Sequence, residues 1–292
     1  MAGKTFNMEG APLAEAGKNN DPSAAPVAIP PKLCNLPPMN ATANRVLQLT
    51  ADPDVDLRDL ARVMELDPAF AGDILFLSNS ALFGFPSRVL SLRQAIPLLG
   101  LDRIKALAVT AAMRSFLGKP GPVLRQCWRH SAACAIIAEE ISPIFKTPGD
   151  AAYTLGLLHD VGRLALLKAY PSESSNLLRK SYNNAEEARQ AELAAMTVDH
   201  CMVGSWLAKS WSLPQEFSTV CGRHHEAVSP DDEGFLQVAK IACCVADALG
   251  FSAINYAHGP CNYDIAPHVR GDLFPTGAEL KSNVETRLLT FD

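Results

Sequence analysis

The chain has 292 residues, of which 48% are hydrophobic and 20% are charged, with a net charge of −5. This composition is typical of a soluble globular protein, and without a basic block it lacks the electrostatic footprint of nucleic-acid binding. The N-terminus carries no basic segment followed by an apolar stretch, and charges interrupt every apolar run well short of a membrane span. Eight cysteines without a C-x-x-C pair are typical of reduced thiols. We therefore expect a cytoplasmic protein with no signal peptide, no disulfide framework and no membrane partner.

The first part of the chain predicts short helices behind an irregular leader. Residues 1–28 are rich in Ala, Gly, Asn, Lys and Pro and are expected to be disordered. Residues 29–118 are expected to form an N-terminal helical subdomain, since apolar residues recur there at helical spacing behind polar or Pro starts. The predicted helices cover 41–50, 57–66, 69–78, 91–99 and 102–117.

The second part begins after a Gly- and Pro-rich boundary at 118–122, and 119–250 predicts a helical bundle. Thr147-Pro148-Gly149-Asp150 is typical of a capping box and is expected to open a helix that contains His159 and Asp160. Further helices are predicted over 123–142, 185–195, 198–211, 214–225 and 233–249. The stretch 172–184 has a weak pattern, and the tail, 251–292, predicts one short helix at 277–288. Because no segment alternates with period two, the predicted fold class is all-α.

One polar pair, His159 and Asp160, interrupts the apolar run at 156–166. Burying polar groups is costly unless they find partners, and an imidazole nitrogen beside a carboxylate oxygen suits a divalent metal. Gly162 leaves room for the close approach of another backbone or of a ligand. A single His-Asp pair also fits a capped core histidine, so the indication of metal depends on the further candidates. Those candidates are His130, His200, His224, His225 and Asp247.

These segments together resemble the HDOD domain, the regulatory relative of the HD and HD-GYP metal-dependent phosphohydrolases, over residues 30–250. The resemblance rests on Leu36-Pro37-Pro38, Asp67-Pro68-Ala69, Leu77-Ser78-Asn79-Ser80-Ala81, Ala95-Ile96-Pro97-Leu98-Leu99-Gly100, Gly156-Leu157-Leu158-His159-Asp160-Val161-Gly162, Asp199-His200 with Gly204, Trp211-Ser212-Leu213-Pro214 and His224-His225-Glu226. It implies an N-terminal helical subdomain packed on an HD-like bundle. It also implies a role in bacterial signal transduction through an unidentified signalling protein. Members of this family often lack detectable catalysis.

The resemblance further implies a ligand set. By position, His130 matches the first His of the HD site, His159 and Asp160 match its pair, and Asp247 matches its closing Asp. The ligands of a second ion correspond to His200 and one of His224 and His225. A mixture of carboxylate and imidazole suits Mn, Fe, Mg or Zn, and two such ions could activate a water. We expect His225 to point away, because neighbours on a helix project about 100° apart.

Two departures from the HD-GYP pattern weaken the case for catalysis. The Gly-Tyr-Pro stretch is missing after His225, and Arg163 stands where those enzymes carry a Lys. If the chain is catalytic, Asp160 and Arg163 are the candidate residues. The sequence therefore leaves open a regulatory module and a metal-dependent phosphohydrolase that acts on a phosphoester or nucleotide. A dry or metal-free cavity would favour the module, and a bound metal pair with an open, water-accessible side would favour the enzyme.

Two further alternatives concern the candidate ligands themselves. His130 could be a hydrogen-bonded helix residue, His225 a helix C-cap and Asp247 an exposed helix residue. A softer metal site or a redox site is also compatible with the sequence, because several cysteines share helical faces with the candidate histidines or Asp247. These cysteines are Cys127, Cys134, Cys221 and Cys243. No paired metal-ligand spacing supports this thiol alternative, and buried Cys is more often a small apolar filler.

Overall fold

The computed structural model describes residues 28–50, 52, 54–80, 88–229, 231–232, 234–259 and 276–289. Within these ranges the chain is helical apart from one very short strand pair, so the predicted all-α class is confirmed. The predicted leader, 1–28, lies outside the described residues except for its last position. Among the described helices, none combines the length and the apolar character that a bilayer crossing requires.

The helices follow the chain in two series. The first series comprises α1 (Pro31–Cys34), α2 (Ala41–Leu49), α3 (Leu57–Glu65), α4 (Pro68–Ser78), α5 (Leu92–Leu99) and α6 (Leu101–Leu117). The second comprises α7 (Pro122–Ile141), α8 (Gly149–Leu158), α9 (Val161–Ala169), α10 (Pro171–Leu178), α11 (Ala185–Met196), α12 (His200–Ser210), α13 (Gln215–Arg223), α14 (Gly234–Ala248) and α15 (Gly277–Leu288). A 3-10 turn, Ser142–Phe145, joins α7 to α8.

Side-chain caps explain where several helices begin. Asn40 accepts a hydrogen bond from the backbone N–H of Ala43, and Asp67 accepts one from that of Phe70. Such caps satisfy N–H groups that have no partner within the helix. A polar residue immediately before an apolar periodic stretch therefore predicted the start of each of these two helices to within one residue.

The start of α8 differs from the prediction. Pro148 is the N-cap residue and no side chain caps the helix, because the Thr147 hydroxyl donates instead to the carbonyl of Ser142 at 3.3 Å. The predicted capping box is therefore wrong. The helix also stops at Leu158, and Asp160 adopts a non-helical backbone before α9 begins. His159 and Asp160 thus lie at a break between two helices rather than inside one.

A small parallel pairing was not predicted. Strand β1 (Ser181–Tyr182) pairs with β2 (Asn255–Tyr256), with Tyr182 opposite Tyr256. Two residues are too few to show alternation in a sequence. The pairing holds the segment after α14 against the segment after α10, and it brings Tyr256 towards the end of α14.

The packing positions the second series around α7. Helix α7 packs along α8 and α14, α12 packs on α9 and α13, and α6 joins the first series to α8. One hydrophobic core extends through both series, so the division into subdomains at 118 stays a prediction. A Cβ at Gly162 would collide with the carbonyl oxygen of His200, and one at Gly156 would lie 2.9 Å from the carbonyl oxygen of Cys134. The close approach expected at Gly162 is therefore that of another backbone, α12.

Candidate metal centre

His130 lies on α7 with its ring almost fully buried. Its Nδ1 is 2.8 Å from the backbone carbonyl oxygen of Phe251, which can only accept a hydrogen bond. Nδ1 therefore carries the proton that is donated, and the lone pair of the neutral ring lies on Nε2. The carboxylate of Asp247, on α14, lies on the Nδ1 side of this ring, with Oδ1 3.5 Å from Nδ1. The Tyr256 hydroxyl donates to Oδ2 of Asp247 at 2.6 Å.

His159 is held in the same way. Its Nδ1 is 2.6 Å from the carbonyl oxygen of Gly156, so Nε2 again bears the lone pair, and that atom is buried without a partner. The rings of His130 and His159 lie 5.2 Å apart. Carbonyl groups that fix the tautomer and orientation of a ring are typical second-shell partners of metal-binding histidines.

Two thiols face the Nε2 atom of His130. The Sγ of Cys134, one turn along α7, lies 3.6 Å from it, and the Sγ of Cys243 on α14 lies 3.7 Å from it. The four potential ligand atoms of His130, Cys134, His159 and Cys243 all lie within 4.8 Å of one another. We call these four residues the thiol–imidazole cluster.

Three more histidines extend from His159. The ring centroid of His224 is 4.8 Å from that of His159. The ring centroid of His225 is 4.1 Å from that of His224 and 5.0 Å from that of His200. The expectation that His225 points away is wrong. Helix α13 ends at Arg223 with His224 as its C-cap, so the rotation of 100° per residue does not apply to His225. Potential ligand atoms of His200, His224 and His225 lie within 4.8 Å of one another.

The protonation of His224 and His225 suits ligation. His224 donates from Nδ1 to the carbonyl oxygens of Val220 and Cys221, at 3.2 and 3.1 Å, which leaves its Nε2 lone pair free. Burial and the neighbouring His159 lower the pKa of His224 well below its ordinary value. Burial and the adjacent His224 do the same to the pKa of His225. Both imidazoles are therefore neutral at neutral pH, as a metal ligand must be.

Arg163 forms the centre of a buried charge network. Its guanidinium donates to Asp160 at 2.8 Å and to Glu192 at 2.8 Å, and it lies 3.0 Å from Nε2 of His200. Glu192 also accepts from Nδ1 of His200 at 2.6 Å. Burial favours the neutral carboxyl, but the guanidinium outweighs it and holds the pKa of Asp160 well below its usual range. The guanidinium thus supplies the positive charge between Asp160 and His200.

Glu192 is the member of this network that the sequence did not reveal. Its side chain is buried on the face of α11 that also carries Ala188 and Met196. The available signal was that Glu192 lies one helical turn from each of two apolar residues. This signal is weak, because charged residues often border the apolar face of a helix. Its role depends on the packing of α11 beside α9 and α12.

Unpartnered polar atoms mark the whole group as a fit for a cation. Five buried side-chain atoms of the candidate residues have no hydrogen-bond partner: His159 Nε2, Asp160 Oδ1, His224 Nε2, His225 Nε2 and Asp247 Oδ1. A buried polar atom without a partner costs on the order of 1–3 kcal/mol, so such a concentration needs a compensating ligand. Burial favours neutral His130, yet Cys243, Asp247 and Asp160 raise its pKa to about 9. The surroundings therefore favour positive charge, which a proton or a metal ion could supply.

Access to this region is narrow. The cavity beside it has a volume of about 20 Å³ and is lined in part by His224, His225, Cys243, Asp247 and Tyr256. Such a volume holds a water or an ion, whereas pockets for small molecules occupy roughly 300–1,000 Å³. In the part of the chain that the structure describes, the cavity has room for an ion or a water but not for a small-molecule substrate.

The structure therefore brings together every predicted candidate ligand: His130, His159, Asp160, His200, His224, His225 and Asp247. The alternative of Asp247 as an exposed helix residue is wrong, since its side chain is only 11% exposed. Of the four cysteines in the thiol alternative, Cys134 and Cys243 lie beside the candidate histidines. Cys221 donates to the carbonyl oxygen of Leu158 at 3.2 Å, and neither Cys221 nor Cys127 belongs to a group of potential ligands.

Comparison with known proteins identifies relatives of the chain. A family model of the HDOD domain matches residues 36–227. An uncharacterized protein from Treponema pallidum (strain Nichols) is 25% identical over 272 residues, which are 91% of this chain and 51% of the relative. The chain thus spans about half the length of the curated relative that it matches.

Solved structures share the fold. An HDOD domain protein of unknown function from Geobacter sulfurreducens superposes with a TM-score of 0.69 at 24% identity, covering 88% of this chain and 93% of that one. A candidate signal transduction protein from Marinobacter aquaeolei reaches 0.69 at 20% identity, covering 88% and 60%. A candidate metal-dependent phosphohydrolase from Shewanella amazonensis reaches 0.62 at 19% identity, covering 89% and 95%.

Proposed function

The chain belongs to the HDOD domain family, and on that premise we propose that it is a regulatory module of bacterial signal transduction with a retained metal site. The module acts by binding another protein, a signalling partner that the chain does not identify. Any bound divalent ion stabilises the fold of the bundle rather than turning over a substrate.

The observation that carries this proposal is a ligand set enclosed in a site too small for a substrate. Buried unpartnered atoms on His159, Asp160 and His224 call for a cation. The adjoining cavity of about 20 Å³ admits an ion but has no room for a phosphoester or a nucleotide. A closed metal site is typical of a structural ion, whereas catalytic ions keep an open position for water or substrate.

Arg163 supports the same conclusion. The resemblance assigns His200 to a second divalent ion, but the guanidinium already contacts its imidazole at 3.0 Å and the carboxylate of Asp160 at 2.8 Å. The pairing with Glu192 holds the guanidinium on its other side. Arg163 thus takes the place of one cation with a charge that cannot polarise a bound water as a metal does.

A metal-dependent phosphohydrolase is the second candidate, because all the ligand positions of the HD site are present and converge. Such an enzyme would act on a phosphomonoester, phosphodiester or nucleotide with one or two ions of Mn, Fe, Mg or Zn. A bound ion would supply an activated water and would stabilise negative charge on the phosphoryl oxygens. Asp160 would hold the ion, and Arg163 would hold Asp160 in place. This candidate requires the site to open.

The test combines binding and turnover in one preparation. Purified protein is stripped with chelator, reloaded with Mn²⁺ or Zn²⁺, and assayed with a generic phosphodiester and a generic phosphomonoester; Asp160→Asn is assayed beside it. The module predicts that metal raises the melting temperature of the wild type with no turnover above that of Asp160→Asn. Metal-dependent turnover that Asp160→Asn abolishes would instead establish the hydrolase.

A further inference from the structure

We propose that the ion beside His130 is bound by two thiolates and two imidazoles, from Cys134, Cys243, His130 and His159. The inference rests on the proposed metal site and changes its chemistry. The resemblance to HD proteins implies a carboxylate from Asp247 in this ligand shell, whereas the geometry assigns that place to Cys243. The site then suits a thiophilic ion such as Zn²⁺ rather than Mg²⁺ or Mn²⁺.

Whether Cys243 or Asp247 is the ligand depends on which ring nitrogen of His130 each side chain lies beside. Its Nδ1 donates to the carbonyl of Phe251, so only Nε2 can bind metal. Asp247 lies 3.5 Å from Nδ1, which is the side away from the lone pair. The sulfur of Cys243 lies on the Nε2 side at 3.7 Å, and the sulfur of Cys134 lies 3.6 Å from Nε2 and 4.0 Å from Nδ1. Asp247 therefore orients the imidazole, as carboxylates commonly do for histidine ligands, and Cys243 faces the ion.

The distances from Nε2 of His130 to the two sulfur atoms are close to those between two ligand atoms of one tetrahedral ion. With zinc–nitrogen and zinc–sulfur bonds of roughly 2.05 and 2.3 Å at the tetrahedral angle, a ligand nitrogen and a ligand sulfur lie about 3.6 Å apart. The observed distances from Nε2 of His130 are 3.6 Å to Cys134 and 3.7 Å to Cys243. All four ligand atoms lie within 4.8 Å, and Nε2 of His159 is buried with no other partner.

The fold fixes these four atoms in place. His130 and Cys134 are one turn apart on α7, so their side chains share a face. Gly156 lets α8 approach that turn, which brings His159 to it, and α14 carries Cys243 from the opposite side. The two thiols are almost fully buried, at 1% and 3% exposure.

Charge also balances in this arrangement. Each thiol loses its proton to solvent as its sulfur–metal bond forms, and the two thiolates neutralise the two charges of the ion. The imidazoles stay neutral. Pairing the ion with two thiolates reduces the large desolvation penalty that an unbalanced ion would carry at this depth.

Cobalt(II) provides a direct probe, since thiolate ligands give it a charge-transfer absorption in the near ultraviolet that oxygen and nitrogen ligands do not. Stripped, reduced protein is titrated with Co²⁺ and then with Zn²⁺. We expect the absorption to appear in the wild type and to disappear as Zn²⁺ displaces Co²⁺. This measurement needs no variant.

Variants then locate the thiolates. Cys134→Ser and Cys243→Ser should each lose about half of the charge-transfer intensity and weaken Zn²⁺ binding by at least about tenfold, since outer-shell changes alone cost that much. Cys127→Ser is the matched control, because Cys127 is equally buried on the same face of α7, two turns earlier, but belongs to no ligand group. It should keep the full absorption.

The failure of this inference is distinguishable from failure of the proposed metal site. Tight Co²⁺ binding that raises the melting temperature but gives no charge-transfer band would overturn the thiolate ligands and leave the metal site intact. No binding of Co²⁺ or Zn²⁺ would overturn both. An equal loss of the band in Cys127→Ser would also contradict the assignment to Cys134 and Cys243.

Discussion

Replacing Arg163 with Met should strongly destabilise the ion-free protein. The guanidinium pairs with Asp160 and Glu192 at 2.8 Å each, and the three side chains are only 2–6% exposed. Breaking a buried ion pair by removing one partner costs about 3–5 kcal/mol, because the remaining charges stay buried without compensation. The structure leaves two carboxylates in that condition, so we expect the free energy of unfolding to fall by at least about 3 kcal/mol.

The loss should depend on pH in a defined direction. Arg163 helps to hold the pKa of Asp160 and that of Glu192 below their ordinary values, against the opposing effect of burial. A carboxylate with a lowered pKa contributes stability above its unfolded pKa, near 4, and loses that stability as pH falls. The difference in the free energy of unfolding between the wild type and Arg163→Met should therefore be largest at pH 7 and should decrease below about pH 5.

The assay is urea unfolding of chelator-treated protein, followed by circular dichroism, at pH 7 and at pH 4.5. Arg62→Met is the control, since Arg62 pairs with Asp59 on an exposed turn of α3 and should cost less than about 1 kcal/mol. Added divalent ion should restore part of the stability of Arg163→Met and should raise its ion content by one. Two results would refute the role of Arg163 as an internal cation. One is an Arg163→Met protein as stable as the wild type, and the other is a stability difference between the two that does not change with pH.

Three further predictions test other parts of the structure. His159→Ala should lower the melting temperature only while metal is bound, since ligand at 100 times its dissociation constant stabilises by about 2.7 kcal/mol; if chelator leaves wild-type melting unchanged, the metal site is wrong. Asp232→Asn should cost about 3–5 kcal/mol in urea unfolding, because Asp232 pairs with buried Lys240 at 2.8 Å, and a loss below about 1 kcal/mol would contradict that burial. Tyr256→Phe should cost about 1–3 kcal/mol by removing the hydrogen bond to Asp247 without changing ion content, and a lost ion would show that Tyr256 supports ligation.

The helices were largely predictable because their signals are local. Helix α4 begins at Pro68 behind the Asp67 cap, and α14 spans Gly234–Ala248 within the predicted 233–249. Caps and apolar periodicity act over a few residues, so a single sequence contains them. The start of α8 failed because Thr147 had a tertiary alternative, the carbonyl of Ser142.

The site was predictable where a motif names the residue and not where packing selects it. His130 and Asp247 were assigned their places in the site through the family resemblance. The structure places Nδ1 of His130 3.5 Å from Oδ1 of Asp247. The role of Glu192 depends on how α11 lies beside α9 and α12, and the proximity of Cys134 to Cys243 depends on how α7 and α14 pack. No local pattern contains that information. The direction of His225 depended on α13 ending one residue before His224, and boundaries are the least reliable part of a sequence-based prediction.

The most direct test of the account is the metal content of the protein, purified without chelator under reducing conditions and measured per chain. We expect at least one divalent ion that survives gel filtration and is lost in His159→Ala. His258→Ala should retain it, because His258 is exposed and lies outside both ligand groups. A wild-type protein without bound ion, or equal ion content in the wild type and His159→Ala, would contradict a metal centre at this cluster.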